Sequence, residues 1–148
     1  MRPSVSTKRY GINPEHLTPP RAAYSHAYVV DIDIARFIFV TGQLPIDLEG
    51  KVVSRSITDQ ARFVFSRLVD ILTAADSSIN DLVKVHIYLV DICDFPAISP
   101  IRDEFLSAVR PASTLVEVSA LPREGCGIQL DAIAISGLTT CIVSSKDS

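Results

Sequence analysis

Two segments of this chain are apolar on both sides of an extended strand, and that limits what it can fold into. Along Arg36–Thr41, Ile38 and Val40 fall on one side and Phe37 and Phe39 on the other. Along Gly127–Ile135, Leu130 and Ala132 oppose Ile133 and Ile135. Successive strand residues point to opposite faces, so a sheet built from these segments has two faces to bury. Two helical patterns are available to cover it. Ser56–Ala75 places Ala61, Val64, Phe65, Leu68, Ile71, Leu72 and Ala75 on one face. Ser56 or Thr58 caps its free N–H groups, and Asp59 complements its dipole. Ala97–Val109 turns Ile98, Ile101, Phe105 and Ala108 inward, with Pro100 in the first turn, where a missing N–H is harmless. Two helices cover one face only. A second copy of the chain is the simplest cover for the other.

The remaining elements complete a β-β-α-β-α-β-β order. Ala27–Ile32 and Arg36–Thr41 form a hairpin punctuated by Asp31 and Asp33, and Leu82–Val90 and Thr114–Val118 are further strands. This is an α/β (α+β) sandwich. Residues 1–22 hold Pro3, Pro14, Pro19 and Pro20 and are expected to form an irregular arm. Residues 23–137 form the domain, and 138–148 a polar tail. The net charge of −3 supplies no basic footprint for nucleic acid. No apolar run reaches the roughly 18 residues of a membrane span. The first residues lack the apolar core of a signal peptide, so a cytoplasmic location is expected. Cys93, Cys126 and Cys141 have neither disulfide-framework nor metal-site spacing, and they read as reduced thiols. Cys126, in the turn Glu124–Gly127, reads as a surface cysteine.

Several motifs, taken in chain order, resemble one known family. Tyr24-Ser25-His26-Ala27 is similar to Tyr-Ser-Gln-Ala, and Phe39-Val40-Thr41-Gly42-Gln43 to Phe-x-Ser-Gly-Gln. Gln60-Ala61-Arg62 opens the long helix. Asp81-Leu82-Val83-Lys84, Tyr88-Leu89-Val90-Asp91 and Asp94-Phe95 match a central strand and turn. Pro111-Ala112, Val116-Glu117-Val118 and Leu121-Pro122 close the series. From Tyr24 to Ile135 the chain resembles the Rid family, the YjgF-type reactive intermediate deaminases. The resemblance implies a chorismate-mutase-like fold with both helices on one sheet face. It also implies a homotrimer with its sheets packed inward and a small-molecule cleft between subunits. Deaminating members hydrolyse 2-imino or 2-enamino acids to 2-oxo acids and ammonia, with no cofactor and no metal.

Carried over position by position, the resemblance gives three catalytic candidates. Tyr24 matches a cleft tyrosine. His26 follows in place of glutamine, and a neutral histidine shuttles protons near pH 7. Asp131 stands for a glutamate that positions water. The substrate-binding candidates are Thr41 for serine, Ser99 for asparagine, Ser113 for an arginine that binds the substrate carboxylate, Leu115 for cysteine, and Glu117. Glu117 lies in an apolar strand and reads first as a structural bond. Losing the arginine costs about 1.5–3 kcal/mol of carboxylate binding. Arg21, Arg102, Arg110, Arg123 and His26 are the replacement cations available. Three functions follow: hydrolysis of an imine or enamine outside the usual 2-aminoacrylate class; non-catalytic small-ligand binding by a trimer; or a biosynthetic water addition, cyclisation or dehydration in the same cleft.

Overall fold

In the computed structural model of the protein, which describes residues 4–138, the elements are β1 (Thr7–Ile12), β2 (Ala27–Ile32), β3 (Ala35–Gln43), α1 (Ile57–Ala74), β4 (Leu82–Leu89), α2 (Phe95–Leu106), β5 (Ala112–Glu117) and β6 (Ile128–Gly137). The strands form one sheet in the order β1-β2-β3-β6-β4-β5. Alternation along β6 sets the layering. Ile128, Leu130, Ala132 and Ala134 are buried under the helices, while Gln129, Asp131, Ile133 and Ile135 turn the other way. β6 is antiparallel to both β3 and β4, so those two run parallel, and α1 carries the chain between them. α2 makes the second crossover, between β4 and the parallel β5. The apolar stripe of α1 packs on β3 and β6. Its Phe65 stacks on Phe105 of α2 with ring centroids 5.2 Å apart. Both helices therefore share one core on one face.

The opposite face is bare in the single chain. Tyr28, Phe39, Val116 and Ile135 there are 47%, 44%, 41% and 38% exposed, which is the unpaired apolar surface expected from the two-faced strands.

Four details differ from the sequence reading. Residues 1–22 are not wholly irregular, because Thr7–Ile12 pairs with β2. The four prolines all lie outside this run, and its largely exposed, Lys8- and Arg9-bearing edge strand gives no alternating apolar signal. α2 begins at Phe95, so Pro96 takes the first turn and Pro100 lies inside the helix. Ala108 falls beyond the helix and is exposed. Cys126 is buried rather than superficial, and that burial pushes its thiol pKa up. Cys141 and most of the expected polar tail lie outside the described residues. Among the described residues, no helix is long and apolar enough to cross a membrane.

Two buried polar side chains fasten the layers. Arg36 on β3 donates to both carboxylate oxygens of Asp31 on β2, at 2.8 and 2.9 Å, and to the Ala75 carbonyl at the end of α1, at 3.0 Å. The guanidinium holds the Asp31 carboxyl below its ordinary range. Gln60 on α1 donates to the carbonyls of Ser54 and Gly125, at 2.8 and 2.9 Å, and accepts from the Gly127 N–H at 2.7 Å. It ties the start of α1 to the turn that launches β6. Gln60→Leu strands these three backbone groups and should lower the unfolding free energy by about 2–3 kcal/mol. Chemical denaturation measures this, and an unchanged midpoint would show that the tie carries no stability.

Candidate functional site

The segment between β1 and β2 folds back over the end of β3, and this brings Tyr24 and His26 to one cavity. His26 is pinned on three sides. Its backbone N–H donates to Asn13 Oδ1 at 2.9 Å, its carbonyl accepts from the Thr41 N–H at 2.9 Å, and its Nε2 meets the Thr18 carbonyl at 2.7 Å. A carbonyl only accepts, so Nε2 carries the proton, and in the neutral ring Nδ1 is left as an acceptor. The cavity, of about 250 Å³, is lined by Tyr24, His26, Gly42, Arg21, Arg67 and Arg123 among others. Tyr24 stands half exposed at its rim. Thr41 does not offer its hydroxyl there, because Oγ1 donates to the Ser25 carbonyl. Gly42 lies in close approach to Gln129, whose side-chain amide occupies the space a Cβ would take.

Asp131 lies on the bare sheet face. The ladder irregularity between Val40 and Gln43 sets Thr41 and Gly42 beside it. Its carboxylate meets His86 Nδ1 at 3.0 Å and accepts from the Tyr88 hydroxyl at 2.9 Å. That bond to Asp131, with partial burial, raises the phenol pKa of Tyr88 above its ordinary value. His86 is therefore satisfied by the same carboxylate that was singled out as catalytic.

The remaining candidates gather at the opposite edge. Ser113, at the exposed start of β5, lines a groove with Arg102 and Arg110. Arg102 donates to Ser99 Oγ at 3.1 Å and pairs with Asp103 at 3.1 Å. It therefore links the two positions where serine replaces a larger polar residue. Leu115 turns toward the helices and packs against the core. Glu117 accepts from the Ile92 N–H at 3.0 Å, a bond to the turn that follows β4 rather than to a neighbouring strand. β3 and β5 are three strand spacings apart, about 14 Å, so a small ligand cannot touch Thr41 and Ser113 of one chain at once.

Two residues of this region were passed over in the sequence. Gln129 shares a face with Asp131 and meets Gly42. Arg67 is buried at the cavity wall with only 7% exposure. A signal for Arg67 existed: it lies seven residues after Gln60, at the rim of the same buried stripe of α1. Among the described residues, no cluster of His, Cys, Asp and Glu is arranged to hold a metal ion.

Comparison with known proteins agrees with this architecture. A family model described as Endoribonuclease L-PSP matches residues 16–136. A RutC family protein of Pyrococcus abyssi is 40% identical over 121 residues, spanning 81% of this chain and 91% of that protein. The 2-iminobutanoate/2-iminopropanoate deaminase of Homo sapiens is 34% identical over 119 residues, spanning 79% and 83%. A crystal structure of a putative endoribonuclease from Thermotoga maritima superposes with a TM-score of 0.79 at 30% identity, covering 86% of this chain and 97% of that one.

The Asp131 contact is open to direct measurement. Asp131→Asn removes the charge that holds the Tyr88 proton, so one of the four tyrosines should titrate at lower pH than in the wild type. Ultraviolet absorbance titration reads this, and superimposable curves would show that the two side chains do not meet.

Proposed function

Because the chain belongs to the Endoribonuclease L-PSP family, the Rid (YjgF-type) family that its motifs resemble, we propose that it hydrolyses reactive imines or enamines without a cofactor, in a cleft between copies of itself. The observation that carries this reading is the split of the candidate residues. Tyr24 and His26 share a cavity at one end of β3, while Ser113 lines a groove at the far edge of the sheet whose Arg102 is held by Ser99. Only a second copy, meeting the first through the bare apolar face, joins the two halves. A homotrimer with its sheets inward buries Tyr28, Phe39, Val116 and Ile135 and gives each cleft two walls. The human relative is named for deaminating 2-iminobutanoate and 2-iminopropanoate. The altered polar set here, Ser113 above all, favours an imine outside the usual 2-aminoacrylate class.

The chemistry asks for few groups. Water adds through oxygen to the C=N carbon while a proton passes to nitrogen. The hydroxyl proton of the carbinolamine then passes to nitrogen as the C–N bond breaks, which releases ammonia and leaves the 2-oxo product. Asp131 orients water from the sheet face and takes its proton, the Tyr24 hydroxyl donates toward nitrogen, and the neutral His26 Nδ1 accepts the substrate N–H and fixes the nitrogen in place. Thr41, Leu115 and Glu117 hold the backbone around the site through the contacts described above.

Two outcomes test this reading. Imino acids generated in place by an amino acid oxidase can be trapped with semicarbazide. The wild-type chain should deplete the imine before it is trapped, and Tyr24→Phe or His26→Gln should slow depletion by about 10–100-fold with an unchanged melting temperature. Trapping equal to that in buffer, for imines of every side-chain size tried, overturns the activity. Solution mass measurement should give three subunits, and a clean monomer would remove the inter-subunit cleft.

A further inference from the structure

Two buried side-chain nitrogens among the described residues have no hydrogen-bond partner, His26 Nδ1 and Arg67 Nε, and both residues line the same cavity. Each residue is only 7% exposed. Arg67 donates from Nη1 to the Ile46 carbonyl at 2.8 Å, and its guanidinium lies over the Phe63 ring at 5.2 Å. Neither contact neutralises its charge. Burial pushes its pKa down, and Asp70, which faces His16 at 3.7 Å, acts on it through space without an ion pair. Two more guanidiniums reach the cavity. Arg123 donates to the Gly50 carbonyl at 2.5 Å, and Arg21 comes close enough to Gly50, in its left-handed turn at φ +81°, to occupy the space of a side chain. No carboxylate lines the cavity, and among the described residues none forms an ion pair with Arg21, Arg67 or Arg123. A buried guanidinium without a counter-ion is costly to maintain. Here buried Arg67, partly buried Arg123 and exposed Arg21 converge on one half-open cavity, which makes a built anion site.

We propose that this cavity binds the carboxylate of a small organic acid, with Arg67 and Arg123 taking the anion, Arg21 closing over it, and His26 Nδ1 accepting an N–H from the same ligand. The two unpartnered atoms are complementary: Arg67 Nε–H needs an acceptor, and the neutral His26 Nδ1 needs a donor. An imino or amino acid carries both. Position 113 supplies a hydroxyl and no cation. The guanidinium beside it, Arg102, is already paired with Asp103 and stacked 5.7 Å from the Phe95 ring. Arg110 also lines the groove beside Ser113, but the Asp103 carboxylate lines it too, whereas three guanidiniums and no carboxylate line the cavity at the Tyr24 end. The proposal deepens the deaminase reading and rests on it for the identity of the ligand, but not for the existence of the anion pocket.

The test is calorimetric titration of the full chain with 2-oxobutanoate, 2-aminobutanoate and inorganic sulfate. Wild type should bind 2-oxobutanoate more tightly than sulfate. Arg123→Gln and Arg21→Gln should each weaken 2-oxobutanoate by about 10–100-fold, the loss expected for a charge-assisted contact. Arg67→Met should do the same, and if that buried replacement fails to fold, the two more accessible variants decide alone. Arg62→Gln, on the exposed pair with Glu104, should bind as wild type. His26→Leu should weaken 2-aminobutanoate and leave sulfate unchanged. Unaltered 2-oxobutanoate binding in Arg123→Gln and Arg21→Gln overturns the proposal, as does a site that takes sulfate but neither organic acid. The semicarbazide assay, run on the same variants, separates the two readings. Binding lost with the arginines, where wild type consumes no imine, keeps the pocket and ends the deaminase reading. Imine consumption untouched by every arginine variant does the reverse.

Discussion

The central position of β6 is the constraint on which the rest of the structure depends. Among the described residues it is the last strand in sequence, yet it is hydrogen-bonded on both sides, to β3 and to β4. Its alternate residues from Ile128 to Ala134 form the floor of the core beneath α1. A slip of one residue in either ladder would put Gln129 and Asp131 under the helices and Leu130 and Ala132 in the open. Gln60 fixes that register from above by holding both Gly125 and Gly127 just ahead of the strand. The polar contacts of the bare face follow from it. Asp131 meets His86 and Tyr88, and Gln129 meets Gly42, because β6 delivers both side chains to that surface.

Charge is distributed unevenly over this frame. On the sheet face, the acid and its donors satisfy one another. At the far edge, Arg102 is shared between Ser99 and Asp103. At the end of β3, cations accumulate without acids, and a histidine is held in the tautomer that leaves Nδ1 free. A site of this kind is organised before its ligand arrives, because the dipoles and charges that would meet an anion are fixed by bonds to backbone carbonyls.

Periodicity made the layers legible in the sequence. The stripe on α1, the two-faced strands and the Ser56 cap are local patterns, and each reports its own burial. β1 was missed because only Tyr10 and Ile12, at its end, turn toward the core, and two positions are too short an alternation to betray an edge strand. Pro100 was misplaced because Pro96 holds the helix start that a first-turn proline usually marks. The family resemblance located Tyr24 and His26, which the structure brings to one cavity, and Ser113, which it places in another groove. It did not point to Arg67, whose spacing from Gln60 marks it for burial on α1 but whose contacts with Ile46 and Phe63 follow from tertiary packing. Gln129 was hidden for a related reason. Its role depends on which β3 residue lies beside it, and the irregularity near Gly42 is not written in any local pattern.

The order of the strands also has a bearing on synthesis. Until residues 128–137 leave the ribosome, β3 and β4 each present an unpaired edge, and α1 covers a sheet with its middle strand missing. The nascent chain is therefore held open through most of its length, with long-range pairing postponed to the end. During that interval the apolar segments of β3 and β4 are the ones exposed to misassociation, and a pause in translation just before Ile128 would prolong it.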